Sequence, residues 1–237
     1  MEAIILAGGF GTRLQAVVKD APKPMADING RPFLSYLMDY LSNQGINKIL
    51  LSVGYKYESI KNYFGPKYKN LDIEYVIEDE PLGTGGAIRE ALNYANGAEV
   101  IVLNGDTFFD VDLRRLFFFH HAHDSLLTIA VKPMRNFDRY GTVVLNNDNR
   151  VTGFEEKSLK DFGYINGGVC IMKREILDYL KQNGDNFSFE IDFLQRNINN
   201  IDSFALISDS YFIDIGIPED YKKAQQELEH FPKVSGK

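Results

Sequence analysis

Arg13 and Lys23 are two fixed cations beside a glycine-rich turn, and that combination could bind phosphate. The turn, Gly8-Gly9-Phe10-Gly11-Thr12-Arg13-Leu14, follows the apolar run Ala3-Ile4-Ile5-Leu6-Ala7 and precedes Pro22-Lys23-Pro24-Met25. Glycines let a backbone lie close to a ligand. Successive N–H groups in such a turn make an anion-binding concavity. The segment therefore reads as a nucleotide-phosphate site. It matches neither common phosphate loop. No Lys-Ser or Lys-Thr follows a glycine at P-loop spacing, and Leu14 stands where the dinucleotide fingerprint needs its third glycine.

Two aspartates form the second constellation. Asp106 ends the run Val100-Ile101-Val102-Leu103-Asn104-Gly105-Asp106, and Asp214 ends Phe212-Ile213-Asp214 before Ile215-Gly216. Each is a carboxylate just beyond a buried strand. Mg²⁺ takes one or two carboxylates together with phosphate oxygens, so Asp106 and Asp214 are read as its ligands rather than as turn or helix caps. Asp110-Val111-Asp112 has the D-x-D form of a glycosyltransferase metal motif. Leu113-Arg114-Arg115-Leu116 starts a helix there, however, and N-capping by Asp112 explains it.

Further candidates lie in loops. Glu78 precedes Asp79-Glu80-Pro81-Leu82-Gly83-Thr84-Gly85-Gly86, a loop whose backbone could lie against a flat base. An ionised carboxylate only accepts hydrogen bonds. Guanine's paired N1–H and N2 donors match it better than the single N3–H of uracil or thymine. Glu156 and Lys157 could hold sugar hydroxyls and a second phosphate. Asn166-Gly167-Gly168 interrupts a strand, where glycine marks close approach of a ligand. Asp192, at a helix start, either binds a sugar or improves the helix dipole. His120, His121 and His123 read as cationic side chains at a helix end, and Phe117-Phe118-Phe119 as core.

Positioning these groups requires a regular scaffold. Apolar runs at 3–7, 48–53, 73–77 and 99–104 predict strands, alternating with helices at 32–44, 57–63 and 84–95. This alternation predicts a parallel, right-handed α/β sheet with ligands at the strands' C-terminal ends. Later strands are predicted at 126–132, 142–145, 163–172 and 203–207, with helices at 174–182, 189–199 and 218–230. The expectation is one domain over 1–237, with residues 1–110 mainly nucleotide-binding and 111–237 mainly sugar-phosphate-binding. Lys233–Lys237 is expected to fray.

Composition narrows the classes. The 237 residues carry a net charge of −7 with no basic block, which argues against nucleic acid. The lone cysteine, Cys170, permits no internal disulfide and reads as a buried thiol. No apolar run approaches a membrane span, and residues 4–6 are too short for a signal peptide. A cytoplasmic protein is expected, with a homo-oligomer left open.

These segments, in this order, resemble the sugar-1-phosphate nucleotidyltransferase family. The matching residues are Leu6 to Leu14 with Pro22 to Met25, Glu80 to Thr84, Asn104-Gly105-Asp106, Glu156-Lys157, Asn166-Gly167-Gly168 and Asp214-Ile215-Gly216. Val17-Val18-Lys19-Asp20 leading into Ala21-Pro22-Lys23-Pro24-Met25-Ala26 is most similar to the D-glycero-α-D-manno-heptose-1-phosphate guanylyltransferases within it. Ser158, where relatives often carry proline, and Gly85, where alanine is frequent, depart from the pattern. The resemblance implies a three-layer α/β/α Rossmann-like fold with a mostly parallel central sheet and a smaller β-rich sugar-binding part. It implies GMP transfer from GTP to a heptose 1-phosphate, with Mg²⁺ on Asp106 and Asp214. It implies Arg13 and Lys23 as catalytic residues. Leu6, Ala7, Gly8, Gly9, Gly11, Thr12, Glu78, Pro81, Gly83 and Thr84 would bind the nucleotide. Asn104, Gly105, Gly141, Glu156, Lys157, Asn166, Gly168 and Asp192 would bind the sugar phosphate. Three alternatives stand beside this reading: uridylyl or thymidylyl transfer to a hexose or amino-sugar phosphate, a non-catalytic nucleotide-sugar sensor, and a glycosyltransferase using Asp110 and Asp112.

Overall fold

The computed structural model describes residues 1–9 and 21–230. The first strand, β1 (Glu2–Leu6), is the apolar run that opens the chain. After a short 3-10 turn, Lys23–Met25, two two-residue strands, β2 (Asp27–Ile28) and β3 (Arg31–Pro32), form a hairpin. Helix α1 (Phe33–Asn43), β4 (Lys48–Val53) and α2 (Tyr57–Phe64) follow. The half ends with β5 (Lys67–Tyr68), β6 (Leu71–Ile77), α3 (Gly83–Tyr94) and β7 (Glu99–Asn104).

The second half contains β8 (Thr107–Phe109), α4 (Leu113–Ala122), β9 (Leu127–Phe137), β10 (Thr142–Leu145), β11 (Val151–Glu155) and β12 (Lys160–Lys173). The short α5 (Leu177–Leu180) follows a 3-10 turn. A π-helix over Phe189–Leu194 runs into α6 (Gln195–Asn197). The chain then forms β13 (Ser203–Ile207), β14 (Phe212–Asp214) and α7 (Pro218–Glu227).

The main sheet runs β11-β10-β12-β7-β1-β4-β6-β5, with β9 paired to β12 and β13 to β9. β1 is parallel to both β4 and β7, and β4 is parallel to β6. From β1 the chain moves outward through β4 to β6, then crosses back to place β7 on β1's other side. In such sheets the crevice at this switch point takes the ligand. The loops after β1 and β7 are the ones with Gly8-Gly9 and Gly105-Asp106. β12 runs antiparallel to β7 and β9, so the sheet is mixed beyond the parallel centre.

Alternating side chains explain why these runs form a covered sheet. Ala3, Ile5, Ile101 and Leu103 face one apolar layer, with α1 and the central part of α4 packed there. Ile4, Val100, Val102 and Cys170 face the other, under α3 and the π-helix. Each fully buried Ile or Phe contributes about 1.5–3 kcal/mol. Cys170 is buried and free, and burial pushes its thiol up to about 12.

Several local expectations need correction. The predicted helix at 174–182 is a 3-10 turn and one helical turn, and the one at 189–199 is largely π-helical. His120 is buried, not a cationic cap. Burial, then His121 and Lys173, lower its pKa to about 4, while Nδ1 shares a 2.8 Å hydrogen bond with Thr128 Oγ1. Phe118, read as core, is 72% exposed. Lys233–Lys237 lies outside the described residues.

Candidate active site

The loop after β1 and the loop after β7 close one wall of a cavity of about 450 Å³. Leu6, Ala7, Gly8 and Gly9 line it from β1, and Asn104 and Asp106 from β7. Glu78, Pro81, Gly83 and Thr84 supply the opposite side, with Lys23 at one edge. Gly11, Thr12 and Arg13 lie outside the described residues.

Gly8 and Glu78 approach closely in this cavity. A Cβ at position 8 would sit 2.5 Å from Glu78 Oε1. Glu78 Oε1 accepts the Ser52 hydroxyl at 2.7 Å, and Oε2 accepts the Leu82 N–H at 3.3 Å. The carboxylate is thus fixed from two sides at the end of β6. Gly83 opens α3 at φ +67°, a conformation that favours glycine. Thr84 lines the cavity, but its Oγ1 accepts the Phe189 N–H at 2.9 Å, tying α3 to the π-helix.

Asp106 and Asp214 come together although 108 positions separate them in sequence. The device is the two-stranded β8–β14 pairing, which sets Asp214 opposite Thr107. The Ile215 N–H also donates to Asp106 O at 3.0 Å. Lys23 Nζ lies 2.5 Å from Asp106 Oδ2 and 3.7 Å from Asp214 Oδ1. The flanking prolines of Pro22-Lys23-Pro24 hold the backbone in place for this reach. Burial first, and then the Asp106 carboxylate, hold the Asp214 carboxyl above its ordinary range, with Lys23 opposing. Two carboxylates crowded in this way favour a cation between them. Among the described residues no group of three or more His, Cys, Asp or Glu side chains could hold a metal alone. Two carboxylates are the kind of donor set that Mg²⁺ uses when substrate phosphate oxygens complete its shell.

A second cavity of about 480 Å³ meets the first at Asn104 and reaches Asp214. Gly141, Glu156, Lys157 and Asn166 line it. Asn166 stands at a bulge, because the β12–β9 register shifts between Asn166 and Val169. Bulges re-aim side chains next to sites. Gly105 and Gly168, like Asp192 below, are not in either cavity wall. Gly105 donates its N–H to Leu6 O at 2.8 Å, and Gly168 donates to Asn166 Oδ1 at 2.9 Å. Both shape the wall from behind.

Asp192 serves as a cap. Its Oδ2 accepts the Ser188 N–H at 2.8 Å, while Ser188 Oγ accepts the Ile191 N–H at 3.2 Å. This reciprocal pair caps the π-helix, and Asp192 lines neither cavity. Glu190, two residues earlier, faces the second cavity instead. Glu190 Oε1 accepts Asn166 Nδ2 at 2.5 Å and lines the second cavity with Gln195. The Ser188–Asp192 spacing was the available signal: a carboxylate spent on a cap leaves its neighbours to face the site. Asp112 also caps, its Oδ1 accepting from Arg114 N and Arg115 N at 2.9 and 3.2 Å. Nothing in the sequence marked Tyr140 or Asn186, which line the second and first cavities.

Comparison with known proteins identifies the family. The nucleotidyl transferase family profile matches residues 2–230. A D-glycero-alpha-D-manno-heptose 1-phosphate guanylyltransferase of Aneurinibacillus thermoaerophilus is 51% identical over 98% of this chain and 100% of its own. The Campylobacter jejuni protein of the same name is 50% identical over 93% of this chain and 97% of its own. The crystal structure of HddC from Yersinia pseudotuberculosis superposes with a TM-score of 0.86 at 41% identity, over 96% of this chain and 99% of that one. A second HddC structure, complexed with GMP-PN, gives 0.83. A crystal structure from Bacillus anthracis, at 18% identity and a TM-score of 0.87, shares the fold. With a family profile over residues 2–230 and half-identical relatives over nearly the whole length, this chain belongs to the nucleotidyl transferase family.

Proposed function

We propose that the chain transfers GMP from GTP to D-glycero-α-D-manno-heptose 1-phosphate, giving GDP-heptose and pyrophosphate. The observation that carries the substrate pair is the near-full-length identity of 50–51% to two guanylyltransferases of that name. The geometry supports the reaction type: two cavities meet beside Lys23, Asp106 and Asp214.

A phosphate oxygen of the sugar phosphate attacks the α-phosphorus of GTP. The new P–O bond forms as the bond to the bridging oxygen breaks, and pyrophosphate leaves with that electron pair. No enzyme-bound intermediate is needed, so catalysis is positioning and charge stabilisation. Leu6, Ala7, Gly8 and Gly9 cradle the nucleotide, and Glu78 accepts guanine's N1–H and N2–H. Pro81, Gly83 and Thr84 hold the base from the α3 side. Lys23 steadies the α-phosphate, and Arg13 the leaving pyrophosphate. Mg²⁺, held by Asp106 and Asp214, would neutralise phosphate charge. Lys157 orients the sugar phosphate; Glu156, Asn166 and Glu190 accept or donate to its hydroxyls. GTP and sugar phosphates are cytoplasmic metabolites, which fits action in the cytoplasm. Among the described residues no helix is long and apolar enough to cross a membrane.

The test is pyrophosphate release with Mg²⁺, crossing GTP, UTP and dTTP with heptose, mannose and glucose 1-phosphates. Turnover dominated by GTP with the heptose phosphate is expected. Preference for UTP or dTTP with a hexose phosphate would overturn both the base and the sugar assignment.

A further inference from the structure

Asp214 also borders a third cavity, of about 290 Å³, whose wall includes Arg139, Tyr140 and Lys157. Tyr140, Lys157 and Asp214 are shared with the second cavity, so the two spaces adjoin where the acceptor's phosphate meets Asp214. A phosphate dianion beside Asp214 meets a like charge. It can rest there only if cations stand on the other walls, and the third cavity has two.

Lys157 is one, with no ion-pair partner among the described residues. Arg139, in the loop joining β9 to β10, is the other. Its guanidinium lies 5.3 Å from the Tyr140 ring centroid. Nη2 donates to Tyr140 Oη at 2.9 Å and to Asp220 Oδ2, on the first turn of α7. Both bonds leave from that one nitrogen. Guanidinium offers five N–H donors in a rigid fork, and among the described residues Nη1 and Nε are not engaged. A planar fork fixed on one edge and open on the other suits two phosphate oxygens.

We propose that Arg139 is a second phosphate-binding residue for the acceptor substrate, acting with Lys157, and that Asp220 positions its guanidinium. The proposal rests on the sugar-phosphate reading above, and it makes a distinction that a mere staple between the loop and α7 would not. A staple changes stability; a phosphate ligand changes affinity for phosphorylated acceptors alone.

The experiment titrates wild type, Arg139→Gln, Arg139→Lys and Asp220→Asn by calorimetry, with Mg²⁺ and a non-hydrolysable GTP analogue present. The probes are heptose 1-phosphate, mannose 1-phosphate, inorganic phosphate and unphosphorylated heptose. Thermal melts check folding. Arg139→Gln is expected to weaken every phosphorylated probe about tenfold or more, the scale of one charge-assisted hydrogen bond. Unphosphorylated heptose should be unaffected. In turnover assays KM for the sugar phosphate should rise while KM for GTP stays within about twofold. Arg139→Lys should recover part of the loss, and Asp220→Asn should show a smaller loss in the same direction. Unchanged affinity for phosphorylated probes in folded Arg139→Gln, or equal loss for unphosphorylated heptose, overturns the proposal. Wild type that binds mannose 1-phosphate and inorganic phosphate but not the heptose phosphate corrects the sugar instead, and the Arg139 comparison then stands or falls on those two probes.

Discussion

Glu78 gives the sharpest prediction, because its hydrogen bonds can be counted. An ionised carboxylate has about four lone-pair sites. Ser52 and Leu82 take one on each oxygen. Two sites remain at the cavity wall, matching the two donors on guanine's edge. Glu78→Gln exchanges one acceptor oxygen for an NH₂ donor. Whichever way the amide turns, one of the surrounding donors then faces another donor. A hydrogen bond to a charged group is worth about 1.5–3 kcal/mol, so kcat/KM for GTP should fall roughly 10- to 100-fold. Inosine triphosphate supplies the control, since it lacks the 2-amino group. Wild type should prefer GTP over it by about tenfold or more, one such bond. In Glu78→Gln that preference should shrink towards unity. Steady-state pyrophosphate release with both nucleotides on both proteins measures the four values. An unchanged GTP-to-inosine triphosphate ratio in the variant, or no preference in wild type, would refute the lone-pair count.

Three further outcomes follow from packing and charge. A Cβ added at Gly85 would lie 2.2 Å from the Phe187 ring. Gly85→Ala should therefore destabilise by about 1–3 kcal/mol in denaturant unfolding, and Phe187→Leu should restore part of that loss in the double variant. Asp112→Ala should cost about 1 kcal/mol as a lost helix cap while Mg²⁺-dependent turnover is retained; lost metal dependence would revive the D-x-D reading. His120, with a folded pKa of about 4, binds fewer protons than the unfolded chain, whose histidines titrate near 6.5. Its contribution to stability is present above about pH 6.5 and is lost as pH falls towards 4, up to about 3 kcal/mol in all. Unfolding curves should show this slope in wild type and a shallower one in His120→Phe.

Much of the site was legible because its residues sit at strand ends in short, rigid segments. Gly8, Lys23, Asp106 and Asp214 each follow or precede an apolar run or lie between prolines, so the local pattern fixed their surroundings. The alternation of Ala3, Ile4 and Ile5 between two apolar layers likewise follows from strand period alone. What sequence could not show was pairing at a distance. The β8–β14 contact that joins Asp106 to Asp214 is three residues long, too short for a periodic signal. Glu190 and Asp192 are equally acidic and two positions apart. Only the cap bond to Ser188 decides which faces the cavity. His120 looked like its neighbours at a helix end, and only the packing of α4 against β9 buries it.

The most direct test of guanylyl transfer to a heptose phosphate is phosphorus NMR of the purified protein with GTP, Mg²⁺ and D-glycero-α-D-manno-heptose 1-phosphate. Growth of a coupled diphosphate pair from GDP-heptose, with pyrophosphate appearing in equal amount, is the predicted result. Signals from GTP and the sugar phosphate that persist unchanged, or orthophosphate released in place of pyrophosphate, would contradict it.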